Sequence, residues 1–304
     1  MTPARSAELR AYAMLVLVML FWSGNAIVGR AVRGDVLPFT LAFGRWLGAF
    51  LVLAPFALRH VAADREVLLR HWRPVLFLGL VGVSAFNAFM YSGLRYTTAT
   101  NGLLLQAAIP ALVLIIDALA FRVRAPAWQV VGVVLSILGV GVVLFPDFAS
   151  VLRLHFGRGD ALVLAGVVAW AIYTSLLRLR PDVHALSFLA VTFAIGVAAM
   201  LPLAMLEWRH APAIDWRPEI VGAFIYVALF PSLAAYFLFN AAVGMIGAAK
   251  AGQSITLMPV FGALLAAALL GEPLGTRYFA GMALILCGIG VSVFLARGPK
   301  RGLR

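Results

Sequence analysis

Inside its long apolar stretches this chain keeps a small set of side chains able to hold a solute, and nearly all are uncharged. Ser84, Asn87 and Tyr91 recur at helical spacing, and Ser232, Tyr236 and Asn240 follow one another four apart. Trp22 stands three residues before Asn25, Trp170 precedes Tyr173 and Thr174, and Gln106 and Gln253 each lie shortly before a proline. Polar groups in hydrocarbon are expensive unless they face protein or a water-filled space, so these stripes mark interior faces. Asn, Gln and Tyr can bond a carboxylate or an amine without being charged, while Trp and Tyr faces hold an apolar or cationic group. The set suits reversible binding of a small polar or zwitterionic metabolite with an apolar part. It does not suit bond-making. A membrane enzyme needs a nucleophile–base pair or acids clustered at one depth, and the spans offer only Asp117, with no partnering histidine. Five scattered histidines have no metal-ligand spacing, and the single cysteine, Cys287, cannot close an intramolecular disulfide. No catalytic residue, metal or cofactor is expected.

Each polar residue also has a plainer use. Asn and Gln often join helices through bonds of about 1 kcal/mol or less. Trp22 and Trp170 favour cavity lining, because interfacial anchoring would place tryptophan near a span end and both lie near the middle. Two charges lie within spans. Counted from the assigned ends, Arg45 is roughly 12 Å below one edge and Asp117 roughly 6 Å above the other, too far apart for a direct pair. Asp117 shares a helical face with Gln106 and Pro110 and matches Lys250 in depth. The preferred functional reading is an Asp117–Lys250 interaction near an inner gate, but separate snorkelling of the two to the cytoplasmic interface is the stronger expectation. Arg45 is open between backbone carbonyls and an anionic substrate. Pro110, Pro231 and Pro259, near mid-span, free backbone carbonyls and are candidate gating kinks.

The elements that must position these residues are membrane spans. A mean hydropathy of +1.01 with 63% hydrophobic and 12% charged residues excludes an ordinary soluble domain, which carries about 25% charged residues. Ten stretches approach the length needed to cross about 30 Å of hydrocarbon. They lie near 11–32, 37–58, 74–94, 99–121, 127–145, 160–177, 185–206, 220–239, 248–270 and 278–296, the sixth being the shortest. The N-terminal run continues too far, without a cleavage site, for a signal peptide. The net charge of +12 is unevenly shared. With loops assigned alternately, the side holding both termini has fifteen Lys/Arg and four acids, against eight and seven on the other. The positive-inside rule then puts both termini in the cytoplasm, and the basic tail reads as a topology anchor rather than a nucleic-acid site.

The chain also repeats itself. Gly132, Gly139 and Gly141 recur 149 residues later as Gly281, Gly288 and Gly290, and Pro110 recurs as Pro259 on the same offset. Trp22 and Arg30 stand eight apart, as do Trp170 and Arg178, and Pro55 and Pro202 occupy similar places in spans two and seven. Two halves, 1–150 and 151–304, are expected. With five spans in each, the second must sit inverted in the bilayer, the arrangement of alternating-access transporters. The glycines themselves read as packing notches. A channel is disfavoured, since pores are commonly lined by rings from symmetric subunits.

Specific motifs accompany the repeat. Phe21-Trp-Ser-Gly-Asn25, Arg95-Tyr-Thr-Thr-Ala99 leading to Pro110, Gly247-Ala-Ala-Lys-Ala251 before Pro259, and Leu270-Gly-Glu-Pro273 together resemble the drug/metabolite transporter superfamily, EamA type. The resemblance covers nearly the whole chain, and among its branches the bacterial amino acid exporters, including the aromatic amino acid exporter, look most similar. It implies an all-α polytopic protein of two inverted five-helix repeats in the inner membrane, exporting small metabolites. Another drug or metabolite class, or uptake, is the alternative. Coupling stays open: proton antiport usually needs a buried carboxylate, and Asp117 is the one in-span candidate.

Overall fold

The computed structural model describes residues 3–32, 34–97, 99–145, 152, 156–209, 213–270 and 274–294, and these are helical with no strand among them. Among the described residues, eight helices are long and apolar enough to cross a membrane. Spans one and two are Pro3–Ala31 and Pro38–Ala63; span three is Trp72–Leu94 and span five Ala127–Leu144. Spans six, seven and eight are Arg158–Leu179, Ala185–Trp208 and Pro218–Ile246. Span four is broken into helices Ala99–Gln106 and Ile109–Phe121. Span nine is likewise broken, into Ala248–Gln253, a tight 3-10 turn at Ser254–Leu257, and Met258–Leu270. Span ten is Thr276–Phe294. The sixth span, the shortest by sequence, is the most enclosed of the eight long helices. Around the outside, large apolar side chains such as Leu51, Phe56, Ile115, Leu119 and Leu138 are exposed. A belt of that kind needs lipid as its solvent.

Packing between the halves follows a two-fold pattern. Span one packs on eight and nine, and span six packs on three and four. Spans five and ten pack on each other, as do two and seven. The equivalent pairs also run antiparallel. A Cβ on Gly132 would lie 2.5 Å from the Gly288 carbonyl oxygen, and one on Gly139 would lie 2.8 Å from that of Gly281, so rising numbers on one helix meet falling numbers on the other. Only glycine permits that approach. Spans two and seven cap each other in the same sense. The Glu207 carboxylate, at the end of span seven, accepts the Phe39 and Thr40 N–H groups at 3.1 and 2.8 Å. At the opposite end the Asp64 carboxylate, after span two, accepts the His184 N–H at 2.9 Å. An acid at each helix start satisfies orphan donors and favours the helix dipole. The second half is an inverted copy of the first.

Both copies interrupt their spans at matching places. Spans three and eight each contain one wide π-turn, Gly79–Ala85 and Ala228–Ala234, 149 residues apart. Pro231 has no N–H to donate and disrupts the ordinary ladder; Gly82 admits the Tyr173 ring, which a Cβ would meet at 2.2 Å. Spans four and nine break just before Pro110 and Pro259, and their breaks share a crevice, too narrow for water, that Gln106 lines with Thr256, Met258 and Pro259. Between spans eight and nine the chain reverses at Gly247, whose φ of +85° suits glycine alone.

Candidate functional site

The π-turns create the site by freeing carbonyls in the middle of the bundle. The Gly82 carbonyl accepts the Tyr236 hydroxyl at 2.8 Å. The equivalent Pro231 carbonyl accepts the Trp22 indole N–H at 3.0 Å and one Arg45 nitrogen at 3.3 Å. Each freed oxygen is thus met by a side chain from the other half, as buried backbone polar groups require. These bonds hold Trp22 and Tyr236 facing inward.

An aromatic layer follows. Trp170 lies 5.1 Å from Trp22 (centroid to centroid, edge to face), 5.5 Å from Tyr236, 5.4 Å from Phe239 and 5.2 Å from Tyr173. Tyr236 in turn meets Trp46 at 5.0 Å, and Trp46 meets Phe193. Edge-to-face and tilted geometries are the favourable ones for rings. Trp170, Tyr173 and Tyr236 are each at most 2% exposed. The convergence of Trp22, Trp170, Tyr173 and Tyr236 expected from helical faces is present. The open central space expected with it is not: the rings fill the position with one another.

Open volume lies instead toward one end. A vestibule of about 520 Å³ is bounded by Arg178, Arg180, Asp182, Asn240, Val243, Gly247 and neighbours. That size accommodates a small metabolite. Asn240 is its link to the layer, its side-chain oxygen accepting the Tyr173 hydroxyl at 2.8 Å while its amide nitrogen has no partner. The vestibule opens at the end where Lys250 meets Glu8 of span one, at 2.9 Å. At the opposite end Thr40 donates to Glu207, and the Trp208 indole donates to the Thr40 hydroxyl at 3.0 Å.

The remaining sequence candidates distribute around this axis. Asn87 is buried and donates to the Val83 carbonyl at 2.7 Å; Ser84 is buried with no partner for its hydroxyl. Tyr91 accepts from Arg45 at 3.1 Å. Asn25 is half-buried beyond Trp22 on span one. Gln106 bonds back to Gly102, and Gln253 reaches Ser136 of span five at 3.2 Å, so both sit in helix packing away from the aromatic layer. Pro110 and Pro259 are buried at the two breaks.

One expectation is overturned. Asp117 does not meet Lys250. Its carboxylate takes Arg178 at 2.6 Å, and Lys250 takes Glu8. Counting rises gave Asp117 and Lys250 the same depth, but depth says nothing about direction around the bundle. The Arg178 guanidinium also lies over the Phe121 ring at 4.2 Å, a favourable cation–π placement. Arg178, Trp46 and Phe239 went unassigned by the sequence. The Trp–Arg spacing shared by spans one and six was the available signal for Arg178.

These features agree with the comparisons. The profile of the EamA-like transporter family matches twice, at residues 9–145 and 157–294. The chain belongs to the EamA-like transporter family. Among similar proteins, the uncharacterized transporter YyaM of Bacillus subtilis is 25% identical over 96% of both chains. An uncharacterized transporter of Archaeoglobus fulgidus is 28% identical over 86% of this chain and 90% of its own. A solved crystal structure superposes with a TM-score of 0.75 over 96% of this chain and 98% of its own, at 21% identity, which speaks to fold alone. The protein is a multi-pass membrane transporter.

Proposed function

We infer that this EamA-type transporter exports small metabolites, amino acids above all, across the inner membrane by alternating access. The carrying observation is the aromatic layer of Trp22, Trp170, Tyr236 and Phe239, packed ring on ring in the middle of the bundle beyond a vestibule of metabolite size. A solute entering the vestibule meets Asn240, behind which Tyr173 is bonded, then must part the rings. Rings that pack on each other when the site is empty can pack on an apolar side chain when it is full, which suits an aromatic or aliphatic amino acid.

The moving bodies in this reading are the repeats 1–150 and 151–304, with both termini and the vestibule cytoplasmic because the vestibule end carries the greater Lys/Arg excess. Asp117–Arg178 and Glu8–Lys250 tie the two halves together at that end, and the breaks at Pro110 and Pro259 absorb the backbone change. Asn87, Ser84, Tyr91, Gln106, Gln253 and Asn25 supply further polar surface as the interior rearranges. Counterflow in proteoliposomes holding this protein alone tests the reading. A panel of amino acids should include one whose internal pool accelerates uptake of its labelled form. No saturable exchange of any amino acid would remove the substrate assignment.

A further inference from the structure

Arg45 is the one charge near mid-span that the reading above leaves without a task. Its side chain is buried, with the residue 4% exposed, and no carboxylate among the described residues pairs with it. Its partners are neutral: the Ser232 hydroxyl at 2.7 Å, the Tyr91 hydroxyl at 3.1 Å and the Pro231 carbonyl at 3.3 Å. The Trp46 ring lies under the guanidinium at 4.9 Å. A guanidinium carries five N–H donors, and these bonds engage Nε and one donor on each terminal nitrogen. One donor on each terminal nitrogen remains.

The surroundings are rich in donors and poor in acceptors. The Pro231 carbonyl is already shared with Trp22, and the Ser232 hydroxyl gives its proton to the Val227 carbonyl at 2.7 Å. The Tyr91 hydroxyl accepts from Arg45 and keeps its own proton to give. The indole N–H groups of Trp46 and Trp170 are buried with no acceptor. A buried cation that only neutral groups compensate is costly. Such a group is stabilised when an anion arrives.

We propose that Arg45, with the Tyr91 hydroxyl, is the subsite that receives the carboxylate of the transported metabolite, making the substrate a carboxylate-bearing amphiphile. The proposal rests on the transporter reading. A carboxylate fits the two remaining terminal donors as a fork and carries the single negative charge that one guanidinium balances. A phosphate monoester would leave surplus negative charge buried. The apolar remainder would lie against Trp22, Trp170 and Tyr236, toward the vestibule.

The test uses full-length protein in detergent, read by thermal unfolding with three probes that share a ring: benzoate, benzylamine and phenyl phosphate. Benzoate is expected to stabilise the wild type, with benzylamine inert and phenyl phosphate weaker. In Arg45→Met the benzoate effect should need at least about tenfold more ligand, since charge-assisted bonds are lost. The unliganded variant should melt no lower than wild type, because a poorly compensated charge has gone. Arg45→Lys should retain part of the benzoate response. The proposal is overturned if benzoate does nothing, if benzylamine or phenyl phosphate matches it, or if Arg45→Met itself melts well below wild type. That last result would make Arg45 a structural strut. Amino acid counterflow separates the two readings. Benzoate binding without exchange of any amino acid keeps the carboxylate subsite and removes the amino acid assignment. Exchange undiminished in Arg45→Met keeps the transporter reading and removes the subsite.

Discussion

Trp22 and Trp170 occupy the same position in the two repeats, 148 residues apart, and their rings meet edge to face at 5.1 Å on the line about which the halves exchange. A contact between equivalent residues can form only on the pseudo-two-fold axis. Span one packs on spans eight and nine and span six on spans three and four, so the contact sits where the two halves interlock. Trp22 is tethered to the Pro231 carbonyl, whereas the Trp170 N–H has no acceptor. The symmetry of position is not a symmetry of bonding.

Trp170→Ala should therefore lower transport while leaving membrane insertion intact. The span remains apolar without the ring, but the layer loses its central partner. Truncating a buried tryptophan typically costs about 3–5 kcal/mol, so melting should fall as well. Trp170→Phe, which keeps a ring, should restore most of the stability. Counterflow in both variants, normalised to membrane protein, checks this; wild-type flux in Trp170→Ala would remove the layer from the pathway.

Orientation is checked by cysteine labelling in a Cys287→Ala background. Arg65→Cys, beyond the end of span two, should react only after permeabilisation, and Asp215→Cys, between spans seven and eight, should react from outside. The expectation follows from the Lys/Arg excess on the side of both termini. Reversed labelling would invert the assignment and turn the vestibule outward.

How much of this was legible in the sequence differs by feature. The glycine offset reported the antiparallel seam of spans five and ten, because a Cβ cannot be accommodated at a carbonyl contact and the residue type records that directly. Helical spacing placed Tyr236 and Trp170 on inward faces for a similar local reason. The π-turns were invisible: Gly82 and Pro231 are different residues that permit the same widened backbone, and neither demands it. The Arg45 partners on span eight are about 187 residues away, and the Asp117 partner was misassigned because axial depth leaves azimuth free. Filling of the central space by rings depends on how spans one, six and eight pack together, which no single residue type encodes.

The Asp117–Arg178 pair tests how the two halves are tied at the vestibule end. One Asp117 oxygen holds Arg178 while the other is buried without a partner, and the Arg178 side chain is about a third exposed. Losing either member should cost between about 1 and 3 kcal/mol, less than for a fully enclosed pair because water reaches the arginine. Asp117→Asn and Arg178→Met should each destabilise, and the double variant should cost less than the sum of the two. Because Asp117 is engaged by a cation at the rim, the response of flux to pH should survive in Asp117→Asn. Loss of that response in well-inserted protein would make Asp117 a proton carrier and the transporter an antiporter.

The seam between spans five and ten offers a matched pair within one helix. A Cβ at Gly139 would meet the Gly281 carbonyl oxygen at 2.8 Å and the Ile285 side chain at 2.7 Å, whereas a Cβ at Gly141 would meet nothing within 4 Å. Gly139→Ala must push two close-packed backbones apart, at about 1–3 kcal/mol for overpacking. The same substitution at Gly141 gains helix propensity of about 1 kcal/mol with no clash. Melting of the purified protein should thus fall for Gly139→Ala and hold or rise for Gly141→Ala, although only Val140 separates the two glycines. Gly281→Ala should copy Gly139→Ala, since its Cβ would lie 2.7 Å from the Gly139 carbonyl. If Gly139→Ala and Gly281→Ala melt like wild type, the two helices are not in backbone contact, and the inverted seam that carries the two-repeat architecture is wrong.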